Sequence, residues 1–405
     1  MAGLGRNVGW GMNKVFTAAL LGTLTSSTGL IGAVLGVEGL FGLILNPLSG
    51  YVSDRHSTRI GRRRPYLFVA FPGAAIGLML MYLTRSLDVA IAAIVLFYFF
   101  QQLSPTPYQA MMPDSVDEHS YGQASGILNL LWSGGNLIAF LVIPLVYLYV
   151  SHLVGFALGA LLLLAGGLWT AIGAKERSGG DVWTRPRLSI RPLLGGQLLK
   201  YYVAQGLWWL GFEAIASFFT PYVIHVLHGS QLDSGLGMAI FTVPAILTAL
   251  WFGKLYQRHD PRLLLSLTLL LFALSAVNGL WLTTVWEAFL LLFVAGIAWG
   301  GIQVTSYPLA ADMLRGALVR SGRSAKDAHA DGVELHGALY GGANLVQSLG
   351  LMVAAPVAGL VINASHGQYQ TMFIVCVASL LAALALVLSF GRVTVAAPLP
   401  DAVAT

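Results

Sequence analysis

The chain has 405 residues, of which 57% are hydrophobic and 10% are charged, with a formal net charge of +5. Soluble domains are about one quarter charged, so this composition excludes ordinary water-soluble domains and indicates helices that cross a lipid bilayer. The single cysteine, Cys376, excludes an intrachain disulfide and a cysteine metal cluster.

Apolar runs of about 20 residues, long enough to cross the hydrocarbon core, recur along the chain and predict twelve membrane-spanning helices. They cover residues 7–27, 30–52, 66–84, 88–108, 121–145, 154–174, 200–224, 235–254, 262–283, 287–310, 334–360 and 370–390. We expect the first run to be retained rather than removed as a signal peptide, because no cleavage-like site with a polar mature start follows it.

The lysines and arginines predict how these helices are oriented. With both termini in the cytoplasm, only Arg85 of the 22 basic residues lies at an outer loop. The inner loops are then 53–65, 109–120, 175–199, 255–261 and 311–333. Because cytoplasmic loops are enriched in lysine and arginine, this predicts a multi-pass protein of the inner (plasma) membrane with both termini inside. The same bias accounts for the positive net charge without a nucleic-acid partner.

Short segments repeat at about half the length of the chain. The pairs are WSGGNL at 132–137 with YGGANL at 340–345, SPTPYQAMMPD at 104–114 with TSYPLAAD at 305–312, and GYVSDR at 50–55 with GKLYQR at 253–258. Internal repeats of this kind are typical of transporters built from two related halves. We therefore predict a six-helix bundle over 1–174, a cytoplasmic linker over 175–199 and a second six-helix bundle over 200–405.

The basic segment between predicted helices 2 and 3 resembles the signature of the major facilitator superfamily. The signature positions are occupied by Gly50, Asp54, Arg55, Gly61, Arg62, Arg63 and Arg64. The longer form SDRHSTRIGRRRPYL, together with PTPYQAMMPD after predicted helix 4, resembles the sucrose-type and glycoside–pentoside–hexuronide cation symporters. The resemblance implies an all-α integral membrane protein with twelve helices in two pseudo-symmetric six-helix bundles, working by alternating access.

The resemblance also implies that the basic segment is a cytoplasmic latch. Asp54 is expected beside the start of helix 11, where the helix dipole favours a carboxylate. The arginines are expected to pair with acids such as Asp312 or Glu334 when the inner gate is closed. The second copy has Gln257 in place of the aspartate, which predicts an asymmetric latch.

Three ionisable residues fall well inside the predicted spans: Lys14, Glu38 and Glu213. Charge at bilayer depth costs at least about 2.5 kcal/mol, and desolvation favours the neutral form of a carboxyl group, as a proton-coupling residue requires. We expect Glu213 to carry the coupling proton, with Glu38 as its partner or substitute. Lys14 is expected to hold one of them charged or to meet a substrate hydroxyl or anion. The alternative is a Lys14–Glu38 ion pair without a transport role.

The resemblance implies that helices 1, 4, 7 and 10 line a central cavity, and amides and indoles cluster on and beside them. The candidate substrate-binding residues are Lys14, Gln101, Gln102, Asn136, Gln205, Trp208, Trp209, Trp299, Gln303 and Asn344. Amides both donate and accept hydrogen bonds, and indole faces stack on sugar C–H surfaces, so this set suits a neutral polyhydroxylated solute. The alternative is helix–helix packing, which we expect at the Gly32-x-x-x-Gly36 and Gly337-x-x-x-Gly341 pairs.

Together these features predict a monomeric, proton-coupled symporter of a sugar or glycoside. The positions where sodium-coupled members of the resembled symporters carry two acids hold Asn46 and Gly42, so a sodium site does not carry over. A phosphate-binding glycine loop, a nucleophile elbow and a zinc motif are absent from the sequence, so neither an enzyme, a cofactor nor a bound metal is expected. The alternatives are a proton-driven exporter of drugs or amphipathic metabolites, and a receptor or assembly factor on the same scaffold.

Overall fold

The computed structural model of the protein describes residues 1–56, 58–115, 121–174, 195–320 and 325–391. These residues are helical almost throughout, and among them extended backbone pairs only in an isolated bridge between Thr58 and Gly61. Eleven described helices are long and apolar enough to cross a membrane. Residues 2–24 form a further helix, interrupted by a π-helical turn. The prediction of an all-α membrane protein with twelve spanning helices is confirmed.

The helices are named here in chain order. They are α1 (Ala2–Met12, the π turn Asn13–Thr17 and Ala18–Leu24), α2 (Thr28–Arg55), α3 (Arg64–Leu83), α4 (Leu87–Leu103 and Pro105–Ser115), α5 (Tyr121–Leu137, the π turn Ile138–Val142 and Ile143–Tyr149), α6 (His152–Gly173), α7 (Gly196–His225), α8 (Gln231–Tyr256), α9 (Pro261–Asn278), α10 (Val285–Arg320), α11 (Ala325–Ala364) and α12 (Met372–Leu388). The end of the bundle that carries Arg55, Arg59, Arg62, Arg63 and Arg64 is called the arginine-rich face, and the other end the opposite face.

Most observed helix ends lie within a few residues of the predicted ones, but α4, α10 and α11 extend further into the predicted inner loops. Much of the predicted loop over 311–333 is helical, because α10 runs on to Arg320 and α11 already begins at Ala325. Hydropathy detects only the part of a helix that lies in hydrocarbon, so polar extensions beyond the membrane go unseen. The predicted linker over 175–199 lies mostly outside the described residues.

Polar caps begin several helices at the tight turns. The Ser27 hydroxyl accepts a hydrogen bond from the Leu30 amide at the start of α2. Ser230 and Asp233 form a reciprocal capping box at the start of α8. Such caps satisfy amides that have no partner within the helix, and they set where each helix begins after its turn.

Among the described residues, two pairs of helices make the most extensive contacts between the N-terminal half (α1–α6) and the C-terminal half (α7–α12). They are α2 with α11 and α5 with α8. Exchanging the two halves converts one pair into the other, since α2 corresponds to α8 and α5 to α11. This is the relation expected of two pseudo-symmetric six-helix bundles.

Glycines allow the backbones of α2 and α11 to touch near the opposite face. A methyl group on Gly32 would lie 2.3 Å from the Ala355 carbonyl oxygen, and one on Gly39 would lie 2.2 Å from the Met352 nitrogen. Nearer the end of α2, the Thr28 hydroxyl donates a 3.0 Å hydrogen bond to the Gly359 carbonyl. Small residues at helix interfaces bring about this close approach in membranes.

The same helix pair separates toward the arginine-rich face. A methyl group on Gly341 would meet no atom within 4 Å, and the neighbouring Tyr340 and Asn344 are exposed. The expected close packing is therefore confirmed for Gly32 and Gly36 but wrong for Gly341. The side chain at position 337 lies outside the described part. In the described part of the pair, the backbones touch where both helices approach the opposite face, and the repeated glycine spacing does not show this.

The second interface, between α5 and α8, follows the same pattern. A methyl group on Gly235 would lie 2.1 Å from the Phe140 carbonyl oxygen, close to the opposite face. On the arginine-rich side of α5, the Cβ positions of Gly126 and Gly134 face open space. As far as the described residues show, the two halves therefore touch near the opposite face and are separated toward the arginine-rich face.

The closed interface generates a first prediction. Gly32→Ala should destabilise the protein by about 1–3 kcal/mol, because a methyl group that meets backbone atoms forces the two helices apart. Gly341→Ala is the matched control, since its methyl group enters open space and should leave stability unchanged. Thermal unfolding of the purified protein in detergent measures both variants. Equal stabilities would contradict the assignment of the tight interface.

Candidate functional site

The three intramembrane ionisable residues lie together at the centre of the bundle. The Lys14 ammonium donates to Glu38 Oε2 at 3.3 Å and is also ion-paired and hydrogen-bonded to Glu213 Oε1. All three residues are at most 5% exposed. The Lys14 ammonium also lies 5.2 Å from the centre of the Trp10 ring. A single buried cation is therefore shared by two carboxylates that come from α2 and α7.

Neighbouring side chains on α1 and α4 complete the bonding of Glu38. The Asn13 amide donates to Glu38 Oε2 at 3.1 Å, and the Tyr98 hydroxyl donates to Asn13 Oδ1 at 2.8 Å. The Arg6 guanidinium, which lies about two turns earlier on α1, interacts with Glu38 electrostatically. Glu38 is therefore held within the N-terminal half by several groups.

Glu213 is bonded differently, because one of its oxygens carries all the contacts. The Ser217 hydroxyl donates to Glu213 Oε1 at 2.9 Å, and the Lys14 ammonium donates to the same oxygen. Glu213 Oε2 is buried and has no hydrogen-bond partner among the described residues. Thr220 adds a second link between the halves by donating to the Lys14 carbonyl at 3.4 Å. The Lys14–Glu38 ion pair that was considered as the alternative is present, and Glu213 shares the same ammonium.

A π-helical turn over Asn13–Thr17 aims the α1 side chains at both carboxylates. Single π turns inside α-helices are frequently found at functional sites. Sequence reasoning identified Lys14 but not Asn13, Tyr98 or Ser217. Asn13 could have been predicted as part of the site, because it is a polar residue next to a buried lysine. Nothing in the sequence distinguishes Tyr98 or Ser217 from the other residues of their apolar helices.

Four of the predicted substrate-binding residues carry a buried polar atom without a hydrogen-bond partner. These atoms are Asn136 Oδ1, Gln205 Oε1, Trp208 Nε1 and Gln303 Oε1. Buried polar atoms are nearly always hydrogen-bonded in folded proteins, so each such atom calls for an explanation. They lie on α5, α7 and α10.

The other predicted substrate-binding residues have different surroundings. Gln101 is buried and donates to the Arg6 carbonyl at 2.8 Å, so it joins α4 to α1. Gln102 is buried as well, whereas Asn344 is exposed on α11. Trp299 stacks on Phe212 with 4.4 Å between ring centres, and Trp209 meets Trp299 edge-on at 5.0 Å. Trp299 therefore packs against neighbouring rings within the C-terminal half.

The signature segment forms a tight turn on the arginine-rich face. Gly61 has φ of 118°, which favours glycine over any residue with a side chain. Gly50 lies close to α4, since an added methyl group would be 2.8 Å from Thr106 Cγ2. Arg64 donates to the Ala171 carbonyl and, at 3.1 Å, to the Ile172 carbonyl at the end of α6. A cation at a helix C-terminus is favoured by the helix dipole.

The described contacts of Arg55 and of Asp312, an expected latch partner, each lie within one half of the bundle. Arg55 bonds to the Tyr51 hydroxyl and lies 3.9 Å from the centre of its ring. Asp312 accepts from the Tyr256 hydroxyl at 2.6 Å and from Arg315 at 2.7 Å. Asp312 is therefore bonded within the C-terminal half in this conformation. The side chains of Asp54 and Glu334 lie outside the described part, and Arg62 and Arg63 have partners of their own.

Comparison with known proteins connects this geometry to a family. A solved bacterial homologue of the human lysosomal transporter Spinster, in an inward-facing and unoccupied conformation, matches with a TM-score of 0.67 and 15% identity, over 96% of this chain and 92% of that one. The nucleoside transporter NupG matches with a TM-score of 0.73 and 14% identity, over 96% and 98% of the two chains. At such identities these likenesses show the fold alone.

Curated relatives match only a short segment. Proton-associated sugar transporter A of Homo sapiens is 40% identical over 63 residues, which are 16% of this chain and 8% of that protein, and the Mus musculus protein matches equally. The model of the Major Facilitator Superfamily, in contrast, matches residues 2–317 and again 201–403. It spans both halves and bears out the resemblance carried by the signature segment. The chain therefore belongs to the Major Facilitator Superfamily, and it is a multi-pass membrane transporter rather than an enzyme.

Proposed function

We propose that the protein is a secondary transporter that moves a sugar-like solute together with protons by alternating access. The observation that carries this proposal is the Lys14 ammonium shared by Glu38 and Glu213 across the two halves of the bundle. In such an arrangement the charge of one carboxyl group is linked to the contact between the halves.

The proton is assigned to Glu213. Its Oε1 atom carries the bonds to Lys14 and Ser217, whereas its Oε2 atom is buried without a partner. Buried carboxylates need compensation for lost hydration, and a proton supplies it where hydrogen bonds do not. Glu38, which accepts from Asn13 as well as from Lys14, is better compensated as an anion.

Protonation of Glu213 is expected to act on the conformational equilibrium. A neutral Glu213 attracts Lys14 less strongly, so the link between α1 and α7 weakens while the Lys14–Glu38 pair within the N-terminal half persists. Buried charge pairs are strong when formed and costly when broken, which makes this contact a two-state element. Proton uptake is thus coupled to movement of one half against the other.

The unpartnered amide and indole atoms on α5, α7 and α10 support a solute rich in hydroxyl groups. Such a solute both donates and accepts, and Asn136, Gln205 and Gln303 each present a free carbonyl oxygen. The partial match to proton-associated sugar transporter A supports the same class. We place the protein as a monomer in the plasma membrane, with the arginine-rich face in the cytoplasm. The conformation described here is then open to the inside.

A second prediction concerns Glu213. In proteoliposomes, Glu213→Gln should abolish accumulation driven by an inward proton gradient, because the side chain can no longer gain and lose a proton. Exchange of labelled for unlabelled solute should persist, since exchange needs no net proton movement. Uptake measured with and without the gradient separates the two activities.

Glu287→Gln is the control for that experiment, since Glu287 caps α10 at an exposed position and should be dispensable. Normal accumulation by Glu213→Gln would show that the proton is carried elsewhere. Solute-dependent proton movement in the direction opposite to the solute would instead identify a proton-driven exporter.

A third prediction concerns the stability of the charged cluster. Lys14→Gln should destabilise the protein by about 3–5 kcal/mol at neutral pH, because two buried carboxylates lose their cation. The loss should diminish as the pH falls, since protonated carboxyl groups tolerate burial. The variant with Lys14→Gln, Glu38→Gln and Glu213→Gln together should be more stable at neutral pH than Lys14→Gln alone. Thermal unfolding across a pH series measures this, and a pH-independent loss in Lys14→Gln would contradict the assignment.

A further inference from the structure

A second cation on the same helix as Lys14 has Glu38 as an electrostatic neighbour, but it is not bonded to an acid in the described part of the chain. Arg6 is eight residues before Lys14, about 12 Å nearer the arginine-rich face. Its side chain is half-buried, and its Nε atom is fully buried without a hydrogen-bond partner. Among the described residues, the guanidinium takes part in neither a hydrogen bond nor an ion pair. A buried guanidinium nitrogen without a hydrogen-bond partner is costly at such a place and marks a candidate functional group.

Neighbouring helices keep lipid away from this part of α1. A methyl group on Gly5 would lie 2.8 Å from the Leu162 carbonyl of α6, and one on Gly135 of α5 would lie 2.3 Å from the Leu4 carbonyl. On the α4 side, Gln101 donates to the Arg6 carbonyl. Helices α4, α5 and α6 therefore all pack against this part of α1, which limits its contact with the acyl chains.

Two neutral polar groups lie near the segment of α1 that carries Arg6. The Tyr108 hydroxyl and the Trp132 indole nitrogen both lie beside Gly3, one turn before Arg6. Tyr108 also interacts electrostatically with Arg6, as does the more distant Glu38. Hydroxyl and indole groups donate hydrogen bonds to an anion, so this surrounding suits a negatively charged group brought in by a ligand.

We propose that Arg6 binds a carboxylate of the transported solute, so that the solute is a polyhydroxylated acid rather than a neutral sugar. This inference rests on the proposed transport function and specifies its substrate class. A guanidinium binds a carboxylate through two parallel hydrogen bonds, which provides both strength and orientation.

The charges around α1 agree with this substrate. Lys14 and Arg6 on α1 face Glu38 on α2 and Glu213 on α7, and the facing titratable groups of α4 are the neutral Tyr98 and Tyr108. With both carboxylates ionised the cluster is neutral. Once Glu213 takes up a proton, the cluster carries one positive charge, which one carboxylate of the solute balances. A proton and a monoanion therefore bind together more favourably than either does alone.

The test measures equilibrium binding to the purified protein in detergent at pH 6. The probes are four acids, each with its neutral partner: gluconate with sorbitol, glucuronate with glucose, galacturonate with galactose and lactobionate with lactitol. At least one acid should bind about tenfold more tightly than its partner, the range expected for a hydrogen-bonded charge. If all four acids bind no more tightly than their partners, the inference is wrong.

Variants assign the effect to Arg6. Arg6→Gln should weaken binding of the acid about tenfold and leave binding of the neutral partner within twofold, whereas Arg6→Lys should retain the preference for the acid. Arg85→Gln is the matched control, because Arg85 is exposed at a turn on the opposite face. An equal loss for acid and neutral partner would show a structural role instead and would overturn the inference.

These measurements use no proton gradient, so they are independent of the Glu213 experiment. A protein that accumulates neutral sugars with protons and ignores the acids would retain the proposed function and lose only this inference. A protein that binds acids through Arg6 but accumulates them without proton coupling would lose only the assignment of Glu213.

Discussion

The contact of one ammonium with two carboxylates holds the centre of this transporter together where little water competes. Lys14 is supplied by α1, Glu38 by α2 and Glu213 by α7, so helices from both halves depend on a single cation. In surroundings of low dielectric constant, a satisfied charge network is strong and an unsatisfied one is costly. A change of charge here is therefore transmitted to both halves.

The charged cluster lies near the level at which the halves cease to touch. From Thr28 to Gly42, α2 follows α11 closely, with Gly42 still near the Ser348 hydroxyl. Beyond that level α11 exposes Tyr340 and Asn344. Glu38 lies close to the end of the closed stretch. In the proposed mechanism, the proton-binding carboxylate and the interface that moves therefore lie at one depth, as alternating access requires.

Much of this molecule follows from the sequence, because the bilayer restricts the choices so strongly. In hydrocarbon every backbone polar group must be bonded within its segment, so each long apolar run becomes a helix. Lys14, Glu38 and Glu213 stand out in those runs because charge is rare there. The helical structure of the polar ends of α10 and α11 was not predicted, because hydropathy detects only the part of a helix that lies in the membrane. The prediction of close packing at Gly341 was wrong, because sequence spacing does not show which glycines face a neighbouring helix.

The sequence by itself determined the helices, their number, the repeat of the halves and the identity of the buried charges. It did so because solvation by lipid acts on each segment separately. Only the tertiary structure decided that Lys14 binds both carboxylates, that Asn13 and Ser217 support them, and that Arg6 is not bonded to an acid among the described residues. These relations depend on how helices distant in sequence rotate and pack against one another. Side-chain partners are set by that packing, which hydropathy along a single segment does not encode.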